Sequence, residues 1–182
     1  HPRPRVICLS RTGIERRRIV PQPAPGPGVL VAASCGAPAE GFDIRIVDPD
    51  TCLPTSGAGI GEIWLAGPCV ARGYWNAPAA TAATFGGYLA DSGEGPFLRT
   101  GDLGFLWDGD LVVSGRLKDV LIVAGRNIFP QDIERAVEDS HPAIRPHGCA
   151  AFAIEGDGDP EVVVVVEIAS PITAAAFPDI EQ

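Results

Sequence analysis

An α+β protein in two parts is the fold class this sequence predicts: a small antiparallel, β-barrel-like or sandwich unit first, then a smaller α+β unit. Three observations carry that expectation. Short apolar runs recur between turn-rich segments over residues 28–67, the spacing of small antiparallel sheets. Asp108-Gly109 sits between two apolar runs, and Asp-Gly suits the type I′ turn of a tight hairpin. After Gly115 the pattern changes to short strands, a helix opened by Pro130, and two strongly apolar segments.

The first 28 residues are rich in Arg and Pro and poor in core-forming residues. VICL (6–9) reads as a short strand or, preferably, as an arm packed on another domain. Pro21 to Gly28 reads as a loop, because Pro removes donors and Gly resists ordering. GVLVAAS (28–34) reads as a buried strand. FDIRIVD (42–48) alternates, with Phe42, Ile44 and Ile46 on one face and Asp43, Arg45 and Val47 on the other. Turn chemistry fills 48–61, and GEIWLAG (61–67) is the next strand. Pro78 suits the first turn of a helix that an Ala-rich run sustains to Phe85. A loop over 86–96 leads to FLRTGDL (97–103), a polar loop ending at Asp102, and then to the hairpin GFLW-DG-DLVV.

RLKD (116–119) is a charged step, and we place a domain boundary at Leu117–Lys118, dividing the chain into 1–117 and 118–182. DVLIVAG (119–125) is a strand and Gly125-Arg126-Asn127 its turn. In the helix that Pro130 opens, Ile133, Ala136 and Val137 share a face. CAAFAI (149–154) and EVVVVVEI (161–168) read as buried strands joined by EGDGDP, and PITAAAF (171–177) begins a further element.

The chain has 182 residues, 46% hydrophobic and 20% charged, the balance of a chain that folds rather than stays disordered. A formal net charge of −9 makes nonspecific nucleic-acid binding unfavourable, since the backbone of nucleic acid is itself anionic. The basic run Arg16-Arg17-Arg18 is local and reads as a solvated face. Five cysteines (Cys8, Cys35, Cys52, Cys69 and Cys149) form no CxxC or Cys/His spacing, so no metal site is assigned. Reduced thiols in a cytoplasmic protein account for them most simply. No apolar run approaches the roughly 18 residues of a membrane span, and no secretion signal opens the chain. The sequence contains no Met, and it reads as part of a longer protein.

Chemistry concentrates between Phe97 and Glu134. Asp102 admits two readings: a carboxylate accepting hydrogen bonds from the vicinal hydroxyls of a ribose, or an acid that stabilises its own turn. Arg116, beside Gly115, either offers its fork of donors to a phosphate or ribose or makes a structural salt bridge to Asp102 or Asp119. Lys118 is either a hinge that absorbs a backbone change or an exposed surface lysine. Glu62, Arg72 and Glu134 read as side chains that hold the fold together, and His1, His141 and His147 form no ligand spacing.

Three stretches together resemble the adenylate-forming superfamily of acyl- and aryl-CoA ligases, peptide-synthetase adenylation domains and luciferases: GEIWLAGPCVARGYWNAP (61–78), FLRTGDLGF (97–105) and GRLKDVLIVAGRNIFPQDIE (115–134). Within it, VAASCGAPAEGFDIRIVDPDT (31–51), TAATFGGYLADSGEGPFLRTGDLG (81–104) and HPAIRPHGCAAFAIEGDGDPEVVVVVEI (141–168) look most like the fatty acyl-AMP ligases. The resemblance implies that 1–117 is the last, barrel-like part of a large AMP-binding domain and that 118–182 is a truncated, mobile C-terminal domain. It implies ATP with Mg2+, and activation of a fatty acid to an acyl-adenylate. The acyl group would then pass to the phosphopantetheine thiol of an acyl carrier protein or of a carrier domain in a polyketide or peptide synthase. It assigns the ribose to Asp102, the ribose or phosphate to Arg116, and the hinge to Lys118. The family's phosphate loop and aromatic-Thr-Glu motif would precede residue 1, and its C-terminal lysine would lie beyond Gln182. No catalytic residue is therefore assigned, and the segment alone is expected to be inactive. The alternatives are a fatty acyl-CoA ligase and a non-catalytic module that docks a carrier protein.

Overall fold

The computed structural model describes residues 5–57, 59–123, 126–154 and 161–169. The chain divides into two compact units, one ending at Lys118 and the other beginning at Asp119.

The first unit opens with β1 (Val6–Ser10), a five-residue helix α1 (Arg11–Glu15) and β2 (Val29–Ala33). β1 pairs with β2 antiparallel, Cys8 opposite Val31. The opening residues are thus more than an arm: Leu9, Ile14 and Ile19 are all buried. β2, expected to be buried, leaves Val31 nearly half exposed, because among the described residues β1 is its only strand partner.

A four-stranded antiparallel sheet follows in the order β3 (Asp43–Val47), β4 (Gly61–Ala66), β5 (Leu98–Trp107), β6 (Asp110–Arg116). Strict alternation fails at the end of β3, where Ile46 and Val47 are both buried. The helix α2 (Pro78–Phe85) begins at its proline, as the sequence predicts. Val47, Trp64, Leu89 and Phe97 form a buried cluster, with the Trp64 and Phe97 rings 6.2 Å apart. Burial of aromatic rings of this size is the main apolar contribution here.

Among the described residues the sheet does not close into a barrel. Its β3 edge is met by the segment at Leu53–Thr55 through a single bridge, Val47 to Pro54, with the Thr55 N–H donating to Ile46 O at 2.8 Å, and proline has no N–H with which to extend that bridge into a ladder. Its β6 edge is met by the segment after β2 through two bonds, Cys35 N–H to Leu111 O at 2.8 Å and Leu111 N–H to Gly36 O at 2.9 Å. The hairpin between β5 and β6 turns on Asp108 and Gly109, at φ 48° and 86°, the left-handed pair that a type I′ turn requires.

In the second unit β7 (Leu121–Val123) pairs with β8 (Arg126–Ile128), so Arg126 and Asn127 lie in a strand rather than in the expected turn. The helix α3 (Pro130–Ser140) starts at its proline and carries Asp132 in its first turn, where the helix dipole favours an acid. Ile133 and Val137 are half-buried, whereas Ala136, expected on the same face, is exposed. β9 (Ile144–Ile154) and β10 (Glu161–Ile168) form a separate antiparallel pair, Val164 opposite Ala151. They were expected to be buried, but a two-stranded ribbon with α3 against it leaves Phe152, Ile154 and Val165 exposed. The expected turn at 155–160 and the element at 171–177 lie outside the described residues.

Candidate functional site

The sequence predicts a loop at Arg99–Asp102, and the structure places these residues inside β5 instead. The strand stays paired with β4 because the register shifts between Glu62 and Trp64: Leu103 faces Glu62, Arg99 faces Trp64, and Thr100 to Asp102 bulge opposite Ile63. Gly101 has φ 73° with nothing within 4 Å of a notional Cβ, so glycine serves this position for its backbone freedom.

The bulge is held from several sides. Thr100 donates its hydroxyl to Ile63 O at 2.7 Å and accepts the Asp102 N–H at 3.1 Å. Oε1 of Glu62 accepts the Gly101 N–H at 3.1 Å, and Oε2 accepts Arg99 Nε at 3.1 Å and Nη2 at 2.9 Å. The Arg99 guanidinium lies 5.2 Å from the centre of the Trp64 ring, a cation–π distance.

Asp102 stands directly across the ladder from Arg116, whose Nε donates to Oδ1 at 2.9 Å. Their side chains are 34% and 67% exposed. An acceptor and a donor fork therefore sit side by side at the open end of the β5–β6 pair, reachable by a polar ligand. The salt bridge that the sequence left open for Arg116 exists, with Asp102 as its partner. Lys118 follows two residues later and is exposed, at the last position of the first unit. Sequence reasoning placed Glu62 among the structural side chains and missed its tie to the bulge. The available signal was Glu62-Ile63-Trp64, which puts an acid and an indole donor on one strand face.

Two clefts lie elsewhere in this unit. One of about 360 Å³ is lined by Asp43, Arg45, Thr55 and Leu106 among others. The other, of about 610 Å³, is lined by Ser10, Thr12, Gly13, Arg16, Arg18 and Val20. Among the described residues no group of three or more His, Cys, Asp or Glu gathers to hold a metal ion. No described helix is long and apolar enough to cross a membrane.

Residues 19–75 match the family model for AMP-binding enzymes, and residues 118–179 match that for the AMP domain of Disco-interacting protein 2-like proteins. The medium-chain-fatty-acid–[acyl-carrier-protein] ligase JamA of Moorena producens is 48% identical over 166 residues, 90% of this chain and 28% of that protein. The chain belongs to the adenylate-forming superfamily. A solved structure in that superfamily, the fatty acid AMP ligase from Legionella pneumophila, is 34% identical and superposes with a TM-score of 0.60, covering 98% of this chain and 31% of that one. A Mycobacterium leprae member that carries the name fatty-acid–CoA ligase fadD21 is 46% identical over 129 residues, 69% of this chain and 22% of that protein. The chain thus spans less than a third of the length of the adenylate-forming relatives it matches.

Proposed function

We propose that this chain is the C-terminal part of a fatty acyl-AMP ligase, residues 1–117 ending the large AMP-binding domain and 118–182 forming a smaller, mobile one. The whole enzyme activates a fatty acid by attack of its carboxylate on the ATP α-phosphate, releasing pyrophosphate. It then passes the acyl group to the thiol of an acyl carrier protein or of a carrier domain in a polyketide or peptide synthase. The likeness to an acyl-carrier-protein ligase over 90% of the chain carries this reading.

Asp102 accepts hydrogen bonds from the two ribose hydroxyls, and Arg116 holds the carboxylate in place while offering charge to the ribose or phosphate. Lys118, exposed at the last position of the first unit, is the hinge. Magnesium enters with ATP, and no residue of this chain is assigned to it. In the full-length protein Asp102→Ala removes a charged acceptor worth about 2–3 kcal/mol. The KM for ATP in pyrophosphate exchange is then expected to rise about 30- to 150-fold. An unchanged KM would overturn the ribose assignment.

The fadD21 likeness favours a second reading, a fatty acyl-CoA ligase. Supplying the full-length protein with ATP, a fatty acid and either holo carrier protein or free CoA separates the two. Acyl transfer to the carrier alone supports the first reading, and acyl-CoA formation at a comparable rate supports the second.

A further inference from the structure

Glu62 is the buried charged side chain among the described residues, 2% exposed. A buried carboxylate is tolerated only when paired and hydrogen-bonded. Both its oxygens are engaged: Oε2 accepts from Trp64 Nε1 at 2.9 Å and from two nitrogens of Arg99, and Oε1 accepts from the Gly101 N–H at 3.1 Å. Core packing requires the first set. The last contact is different, because it reaches across to the apex of the bulge that carries Asp102.

The far side of the bulge has contacts of its own: Thr100 Oγ1 accepts the Asp102 N–H at 3.1 Å, and Gly101 O accepts the Leu117 N–H at 2.8 Å. At its apex a notional Cβ on Gly101 meets nothing within 4 Å, so the Gly101 N–H is held there by Glu62, while Thr100 reaches β4 through its hydroxyl bond to Ile63 O. Without the Glu62 contact the N–H of the Thr100-Gly101 peptide loses its acceptor, so this peptide can tilt and shift the direction in which Asp102 leaves the strand. We infer that Glu62 is a positioning residue: its carboxylate clamps the Thr100-Gly101 bulge and thereby aims the Asp102 carboxylate at the ribose. This inference rests on the proposed nucleotide role of Asp102.

The chemistry of the clamp selects a carboxylate. Glutamine has nearly the same shape but accepts through one oxygen only. Trp64 and Arg99 together offer three donors, so the amide oxygen turns to them and the NH2 is left facing the Gly101 N–H. Glu62→Gln therefore keeps the volume of the core and breaks the clamp. Arg99→Lys keeps the charge, loses the fork and leaves the Gly101 contact in place.

The experiment has two parts. In the 182-residue chain, amide hydrogen exchange is followed by NMR at Gly101 and Asp102, with Val112 in the neighbouring ladder as the reference. In the full-length protein, pyrophosphate exchange gives kcat and the KM values for ATP and for the fatty acid. For Glu62→Gln we expect faster exchange at Gly101 and Asp102 but not at Val112. The KM for ATP should rise about tenfold, with kcat and the fatty-acid KM within about twofold, the pattern of lost ground-state binding. Arg99→Lys should move the KM for ATP less, by about threefold. An unchanged KM for ATP in Glu62→Gln overturns the inference, and so does a loss spread over kcat, both KM values and Val112 exchange, which marks a purely structural acid. Asp102→Ala separates the two levels. If it raises the KM for ATP and Glu62→Gln does not, the clamp alone fails. If neither variant moves it, the nucleotide reading fails as well.

Discussion

Asp102 and Arg116 meet at 2.9 Å, yet both are accessible to water, and an exposed ion pair contributes only about 0–1 kcal/mol. Stability is therefore a weak reason for the pair. Replacing Arg116 with Gln should lower the thermal midpoint by no more than a few degrees, about 0.5 kcal/mol in the 182-residue chain, as measured by circular dichroism. Asp48 behaves differently. Its carboxyl is held below its ordinary 3.8 chiefly by the Thr51 backbone N–H, more than burial raises it, with help from the Thr51 hydroxyl, the Asp50 N–H and the Arg17 charge. A depressed folded-state pKa contributes stability that is present above 3.8 and lost as pH falls through the lowered value. Asp48→Asn should therefore be less stable than the parent at pH 7, by about 0.5–1 kcal/mol for so accessible a turn. The gap should close as the solution is acidified below pH 3.8, and a gap that widens there would contradict the assignment. Cys149 is pushed up by burial and by the Glu138 and Glu134 charges, so its thiol stays neutral. It should react with iodoacetamide at pH 8 more slowly than the exposed Cys35 and Cys69, as peptide mass spectrometry would show.

At the level of elements, the β5–β6 hairpin shows what local chemistry decides. The Asp108-Gly109 turn was legible because left-handed backbone at two successive positions selects this dipeptide. Gly109 has nothing within 4 Å of a notional Cβ, so Gly109→Ala should cost only the conformational penalty, about 1 kcal/mol. Gly104, in the same strand pair, would place a Cβ 2.4 Å from Val112 O and against Ile63. Gly104→Ala should therefore cost more, about 2–3 kcal/mol in urea unfolding. Equal costs would mean that the sheet yields at Gly104, against the tight approach of Val112 O. The bulge at Thr100–Asp102 was not legible. A Gly-Asp pair beside Arg and Thr carries loop chemistry when read alone, and only pairing with β4 on both sides of the bulge makes it strand. Likewise β10, a run of five valines, suggests burial on both faces, but that requires neighbours the described sheet does not provide.

For the whole molecule, Lys118 is the sole lysine of the sequence and stands exposed where the first compact unit ends. If it is the proposed hinge, a lysine-specific protease should cut the native chain after Lys118 at a rate close to that for the urea-unfolded chain, releasing residues 1–118 and 119–182. Resistance to the protease under native conditions would argue for a fixed joint. The chain spans 28% of the JamA relative, and these 182 residues alone are expected to show no pyrophosphate exchange with ATP and fatty acid. Turnover by the segment alone would mean that adenylation needs less than the proposed enzyme supplies.

The sequence by itself determined the family, the hairpin turn and the proline starts of α2 and α3. Each depends on residues within a few positions of one another, where backbone preference and side-chain chemistry act without help from the rest of the chain. Only the tertiary structure decided that the sheet stays open, that the RTGD segment is a bulged strand, and that Glu62 reaches Gly101 from 39 residues away. Those outcomes depend on which strands pair and in what register, and pairing is a property of distant segments brought together.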